Sequence, residues 1–148
     1  MLRQFLVSGA ISVCSIAIHA FVMAGVLKVA RSTSEQATLR PSSRLIAVMI
    51  ATVLVLMAAH IAEVAVWSVA YAIVGAAPPD AELIYFAFVN YTTLGYGDVV
   101  PLPRWRLLGP MTAMNGVLLF GWSTAVIFAV LRNTMIENGT KDGPRLTH

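Results

Sequence analysis

Long stretches of this chain carry almost no charge, and the polar residues collect in the gaps between them. Phe5 to Leu27 contains no charged residue. A helix rising about 1.5 Å per residue over that length covers a hydrocarbon core of about 30 Å. A first membrane-spanning helix is predicted here. It is expected to be retained, since the apolar part of a signal peptide is only about 7–15 residues long and no convincing small-x-small cleavage site follows. Its His19 reads as a neutral imidazole hydrogen-bonded to a neighbouring helix. Leu45 to Val74 is a second run, broken only by His60 and Glu63 and long enough to cross with tilt. Leu107 to Leu131 is a third, closed by Arg132, with Pro110 in its first turns where a missing N–H does no harm. Between the last two, Ala81 to Thr92 predicts a helix of about 18 Å, too short to span, that descends partway. Asp80 is the predicted cap, with Glu82 in the first turn, where carboxylates complement the positive helix end.

Composition turns these runs into a fold class. Of 148 residues, 58% are hydrophobic and 11% charged, against about 25% charged in soluble domains. The reading is an all-α membrane protein: three transmembrane helices, with a re-entrant short helix and loop between the last two. It divides into 1–44 (first helix and connector), 45–132 (the main unit) and 133–148, a polar tail with Gly and Pro that reads as flexible. The net charge of +3 does not imply nucleic-acid binding, because the basic residues sit at the ends of apolar runs, where orientation in the bilayer accounts for them. The connector carries Lys28, Arg31, Arg40 and Arg44 against Glu35 alone, which predicts a cytoplasmic loop able to meet anionic lipid headgroups. The N-terminus then lies outside and the C-terminus in the cytoplasm of a multi-pass cell-membrane protein. A lone cysteine, Cys14, rules out a disulfide within the chain. No regularly spaced arginine series supports voltage sensing.

Two groups of residues carry candidate chemistry. Tyr91 to Asp98 is the only polar, glycine-punctuated segment set between long apolar runs. Gly95 and Gly97 flank Tyr96, and glycines at that spacing let the backbone adopt positive φ, so that successive carbonyls can face one way. Irregular backbone at membrane depth is tolerated only where it is buried or lines a cavity. The second group is His60, Glu63 and Trp67, at i, i+3 and i+7 on one helix face. A carboxylate inside a membrane helix needs a bonded partner or a function. It reads first as a structural brace bonding groups such as Asn90, Tyr91 or Asn115, then as a proton sensor. A metal or catalytic site is third, since His-x-x-Glu lacks the further ligand that metalloprotease motifs supply. No nucleophile with an adjacent base accompanies the pair, so an enzyme is not expected. Gly116 and Gly121 in the last run read equally as close-packing positions and as hinges.

Thr93-Leu-Gly-Tyr-Gly-Asp98 resembles the signature of small bacterial-type pore-loop potassium channels, and the resemblance covers about Leu45 to Arg132. It implies that the carbonyls of Thr93, Leu94, Gly95 and Tyr96, with the Thr93 hydroxyl, bind K+ in stacked sites, and that Gly97 and Asp98 shape the outer mouth. It further implies a homotetramer, a hinge at Gly116, a cavity lined by Val117, Phe120, Thr124 and Phe128, and a constriction near Phe128 or Leu131. Leu94 stands where the family most often has valine or isoleucine. Val89 stands where some members carry a glutamate bonded to the mouth aspartate, so Tyr85 is the expected partner of Asp98 and, with Asn90, the expected support of the filter. Passive K+ conduction follows as the expectation, with membrane lipids as partners and with no cofactor or small-molecule substrate. A weakly selective cation channel and a non-conducting accessory subunit are the alternatives.

Overall fold

A peptide group that cannot reach water must be paired within its own segment, which makes helices of the apolar runs. The computed structural model describes residues 1–32 and 41–141. Its α-helices are α1 (Leu2–Ser32), α2 (Pro41–Val74), α3 (Leu83–Tyr91) and α4 (Leu108–Lys141), with one 3-10 turn at Pro103–Trp105. Among the described residues there is no strand. Leu2–Lys28, Ser42–Val74 and Pro103–Ile136 are long and apolar enough to cross a membrane, as the hydrophobic pattern predicts. The fourth helix, α3, has only 9 residues, about 14 Å.

Several boundaries differ from the sequence expectation. Helix α2 starts at Pro41, because proline in first position loses only an N–H that has no helical partner anyway. Together with the extension of α1 to Ser32, this shortens the polar connector, whose Glu35 and Arg40 lie outside the described residues. Helix α4 runs past Arg132 to Lys141, so residues 133–141 of the expected polar tail are helical, and 142–148 lie outside the described residues. Thr134 turns inward there and donates to Val130 O at 2.8 Å. Asp80 does not cap α3. It sits in a turn closed by Ala81 N–H to Pro78 O (3.1 Å), and the N-cap is Glu82, with no side-chain cap bond.

The end of α2 sets where α3 starts. Gly75 takes φ +61°, Ala76 N–H reaches back to Tyr71 O at 3.0 Å and Gly75 N–H to Ala72 O at 3.3 Å. That pair of bonds is a Schellman cap, which favours glycine at the left-handed position. The returning chain is then pinned beside it by Leu102 N–H to Ala76 O (2.7 Å).

Helix α1 packs on α2 and α4 of its own chain, and α3 lies between α2 and α4. The amide of Leu107 donates to Gln4 Oε1 at 2.9 Å, and the Arg3 guanidinium stands 5.0 Å over the Trp105 ring. Two apolar clusters form. One gathers Trp67, Tyr71, Phe86, Tyr91, Trp105 and Leu108 around α3; the other joins Met23, Val26, Leu56, Val126 and Val130 on α1, α2 and α4. Lipid tails are as apolar as leucine, so burial among them gives little, and helices in a bilayer are held by close backbone approach and hydrogen bonds. Both occur beside α3. Trp67 Nε1 donates to the Asn115 side chain at 3.1 Å. Thr112 donates to Leu108 O, so its hydroxyl accepts from Tyr71 Oη at 2.6 Å. Close to these bonds Gly116 meets the end of α3: a Cβ there would lie 2.0 Å from Tyr91 O.

Gly116 and Gly121 are thereby distinguished. A carbonyl oxygen at the end of a helix cannot move aside cheaply, so Gly116→Ala is expected to overpack the α3–α4 contact and destabilise the protein by about 1–3 kcal/mol. Gly121→Ala, with nothing within 4 Å of the added carbon, should be neutral or slightly stabilising. Thermal unfolding of the two variants in detergent checks this, and equal melting temperatures would contradict it.

Candidate functional site

The segment following α3 takes its shape from how the helix ends. Thr92 N–H bonds Phe88 O (2.9 Å), Thr93 N–H bonds Asn90 O (3.0 Å), and the amides of Leu94 and Gly95 both turn back to Val89 O (3.0 and 3.3 Å). Four successive amides are committed to the helix end, whereas among the described residues no backbone amide donates to the carbonyls of Thr93 to Gly97. The backbone alternates in hand: φ is +62° at Thr93, +58° at Gly95 and +77° at Gly97, and negative at Leu94 and Tyr96. Alternation of this kind gathers successive N–H groups on one side and leaves the carbonyls facing the other. The glycines adopt it freely. Thr93 does not, because a β-branched residue at positive φ is a true outlier, and such strain persists where the surroundings impose it. Nothing in the sequence marked Thr93 for this conformation. In the single chain the segment from Thr92 to Asp98 is exposed, with Tyr96 at 69%.

The far end is tied as expected. Tyr85 Oη donates to Asp98 Oδ2 at 2.7 Å. That bond holds the Asp98 carboxyl below the usual carboxylate range and raises the Tyr85 phenol. Val89, where a glutamate would compete for Asp98, is buried. Asn90 ties the start of the segment to α3 and α2. Its Nδ2 donates to Phe86 O in its own helix (2.9 Å) and its side chain also bonds Tyr71 on α2, while its backbone carbonyl accepts from Thr93 N–H (3.0 Å).

On α4, Val117, Thr124 and Phe128 share an uncovered face, at spacings of seven and four. Thr124 donates to Phe120 O at 3.0 Å. Phe120, a turn away on the same side of α4, is also exposed, at 38%. Its ring packs 4.5 Å from His60 and 5.5 Å from Tyr91, centroid to centroid, because both groups project from α2 and α3 onto that turn of α4.

The family model described as "Ion channel" matches residues 45–133, a stretch that runs from α2 through the alternating segment into α4 and takes in more than half of the chain. The protein belongs to the ion channel family. No curated protein and no solved structure gives a match. In this ion channel α1 lies outside the matched region, yet it completes a buried polar layer behind the alternating segment.

The brace expected from His60 and Glu63 is present and larger than the sequence indicated. Glu63 is fully buried. Its Oε2 accepts from the Tyr91 hydroxyl and lies 3.1 Å from His60 Nδ1, while Oε1 lies 2.7 Å from His19 Nδ1 on α1. Tyr91 Oη is also 2.9 Å from His60 Nδ1. On their other edges both imidazoles face Ser123 of α4, His60 Nε2 at 2.9 Å and His19 Nε2 at 3.3 Å. Tyr91 was among the partners expected for this face; Asn115 instead bonds Trp67. Ser123 gave no signal in the sequence, and His19, expected to bond some neighbouring helix, supplies the further ligand-type side chain that His60-x-x-Glu63 lacks.

The Tyr85–Asp98 bond makes a pH prediction. A carboxyl depressed in the folded state contributes stability above its unfolded pKa and loses it as pH falls through the folded value. With Tyr85→Phe the Asp98 titration is expected to move up toward the ordinary carboxylate range and the conducting form to weaken. Carboxyl NMR of Asp-labelled channel and flux recordings check the two effects; an unmoved Asp98 titration with unchanged inactivation would refute them.

Proposed function

We propose that this ion channel is a homotetramer conducting K+ passively across a prokaryotic-type cell membrane, with Thr93 to Asp98 as its selectivity filter. The observation that carries the reading is the alternation of backbone hand at Thr93, Gly95 and Gly97, with the carbonyls of this stretch uncommitted inside the chain. A row of carbonyls replaces the hydration shell of a monovalent cation only when several rows surround it. One chain supplies one row, and four copies about an axis close the ring with the symmetry that oligomers favour.

The remaining geometry fits that assembly. The C-terminal end of α3, which carries partial negative charge, precedes the filter and favours a cation beneath it. Val117, Phe120, Thr124 and Phe128 then line the cavity, and the Phe128 turn supplies an apolar constriction. Gly116 acts as the seat of α3 through its contact with Tyr91 O, and a hinge motion there would have to release that contact. The N-terminus faces outside, the C-terminus the cytoplasm, and lipids cover the remaining apolar surface. The K+ ion is cargo: no covalent bond changes during conduction. Leu94, 53% exposed in the single chain, contributes its carbonyl, with its larger side chain packing behind.

Reconstituted protein in liposomes is expected to pass K+ well above Na+, read from reversal potentials in mixed salts. Gly95→Ala, which places a Cβ at φ +58°, should abolish the flux. Equal permeability would replace this reading by a weakly selective cation channel, and no flux from wild-type protein by a non-conducting accessory subunit.

A further inference from the structure

The layer between α1, α2 and α4 contains a hydrogen-bonding problem that the channel reading leaves unanswered. His19 Nδ1 and His60 Nδ1 both face Glu63, at 2.7 and 3.1 Å, and the Nε2 atoms of the same two rings both face Ser123 Oγ, at 3.3 and 2.9 Å. A neutral imidazole carries one N–H and one lone pair. If both rings protonate toward Glu63, two lone pairs meet Ser123, whose hydroxyl has one hydrogen. If both protonate toward Ser123, its oxygen accepts both N–H groups through its two lone pairs, but two nitrogen lone pairs then face an anionic carboxylate. The mixed tautomers leave one such clash. With Glu63 ionised, no arrangement of two neutral rings satisfies the set, and either a cation or an added proton must complete it.

We propose that His19, His60 and Glu63 bind a divalent transition-metal ion of the zinc type. The ligand atoms of the three residues lie within 4.8 Å of one another, and two imidazoles with a carboxylate are a ligand set that zinc accepts. A cation on the Nδ1 side takes up both ring lone pairs and a carboxylate oxygen and answers the buried negative charge, which is costly at membrane depth. Both Nε2–H groups then donate to Ser123, the outer partner that fixes tautomer and orientation in metal-bound histidines. The Tyr91 hydroxyl, 2.9 Å from His60 Nδ1, stands at the remaining position. The ion joins α1 to α2 and bears on the last residue of α3, so it stiffens the support of the alternating segment. The assignment holds whether or not the pore selects K+.

Full-length protein in detergent, stripped with chelator and re-equilibrated with Zn2+ or Co2+, tests the site. About one ion per chain is expected by elemental analysis, with the visible absorption bands of low-symmetry four-coordinate Co2+. A Cys14→Ser, His148→Ala background, lacking the remaining cysteine and histidine of the chain, should keep both signals. In that background His19→Ala and Glu63→Gln should lose them, and Ser123→Ala should weaken binding about 10–100-fold with helix content unchanged. Failure of the background protein to bind either ion stoichiometrically overturns the proposal and leaves an added shared proton to complete the network. Binding of the same affinity in the His19→Ala and Ser123→Ala variants overturns it equally.

Discussion

A peptide carbonyl or amide that is lost to water inside a bilayer and finds no partner costs several kcal/mol, and the arrangement of this ion channel follows from where that cost is met. In α1, α2 and α4 it is met within each helix. In the segment after α3 it is met on one side only: the amides of Thr92 to Gly95 fold back on Phe88, Val89 and Asn90, and the carbonyls beyond are left without donors from the described chain. A backbone of that kind is stable at membrane depth only beside water, ions or further copies. The alternation of hand at Thr93, Gly95 and Gly97 makes the exposure one-sided, so the cost falls on a single face of the segment.

Holding such a segment still is a packing task with little help from the hydrophobic effect, because lipid solvates apolar side chains as well as a protein core does. The chain uses polar bonds and close backbone approach instead. Tyr71 to Thr112 and Trp67 to Asn115 tie α2 to α4 on one side of Tyr91. Glu63 holds the Tyr91 hydroxyl on the other, and Gly116 admits its carbonyl. Tyr91 is thus fixed at both its side chain and its backbone, one residue before the chain leaves the helix. Helix α1 takes part through His19, so a helix outside the family-matched unit nevertheless supports it.

The sequence alone determined the membrane class, the three long helices, the short one between the last two and the glycine-punctuated segment. Runs of uncharged residues have few alternatives to helix in a bilayer, and glycines at alternate positions mark a non-helical stretch once membrane-length runs flank them. It also determined that Glu63 needs a bonded partner and that Tyr85 is placed to bond Asp98. Helix ends were less legible: α4 continues through Asn133 and Thr134 because inward-facing contacts outweigh their weak helix preference.

The tertiary structure decided what no local pattern contains. Ser123 joins His19 and His60 across more than sixty positions of chain, and nothing about a serine in an apolar helix announces that role. Gly116 proves a contact point with Tyr91 O, the Phe120 ring packs on His60, and the Asn90 side chain bonds Phe86 O and Tyr71. Each of these depends on the rotation and depth at which two helices meet. Uniformly apolar helices carry almost no periodic signal of which face is inward, so the register of their few polar and small residues against one another appears only once the helices are packed.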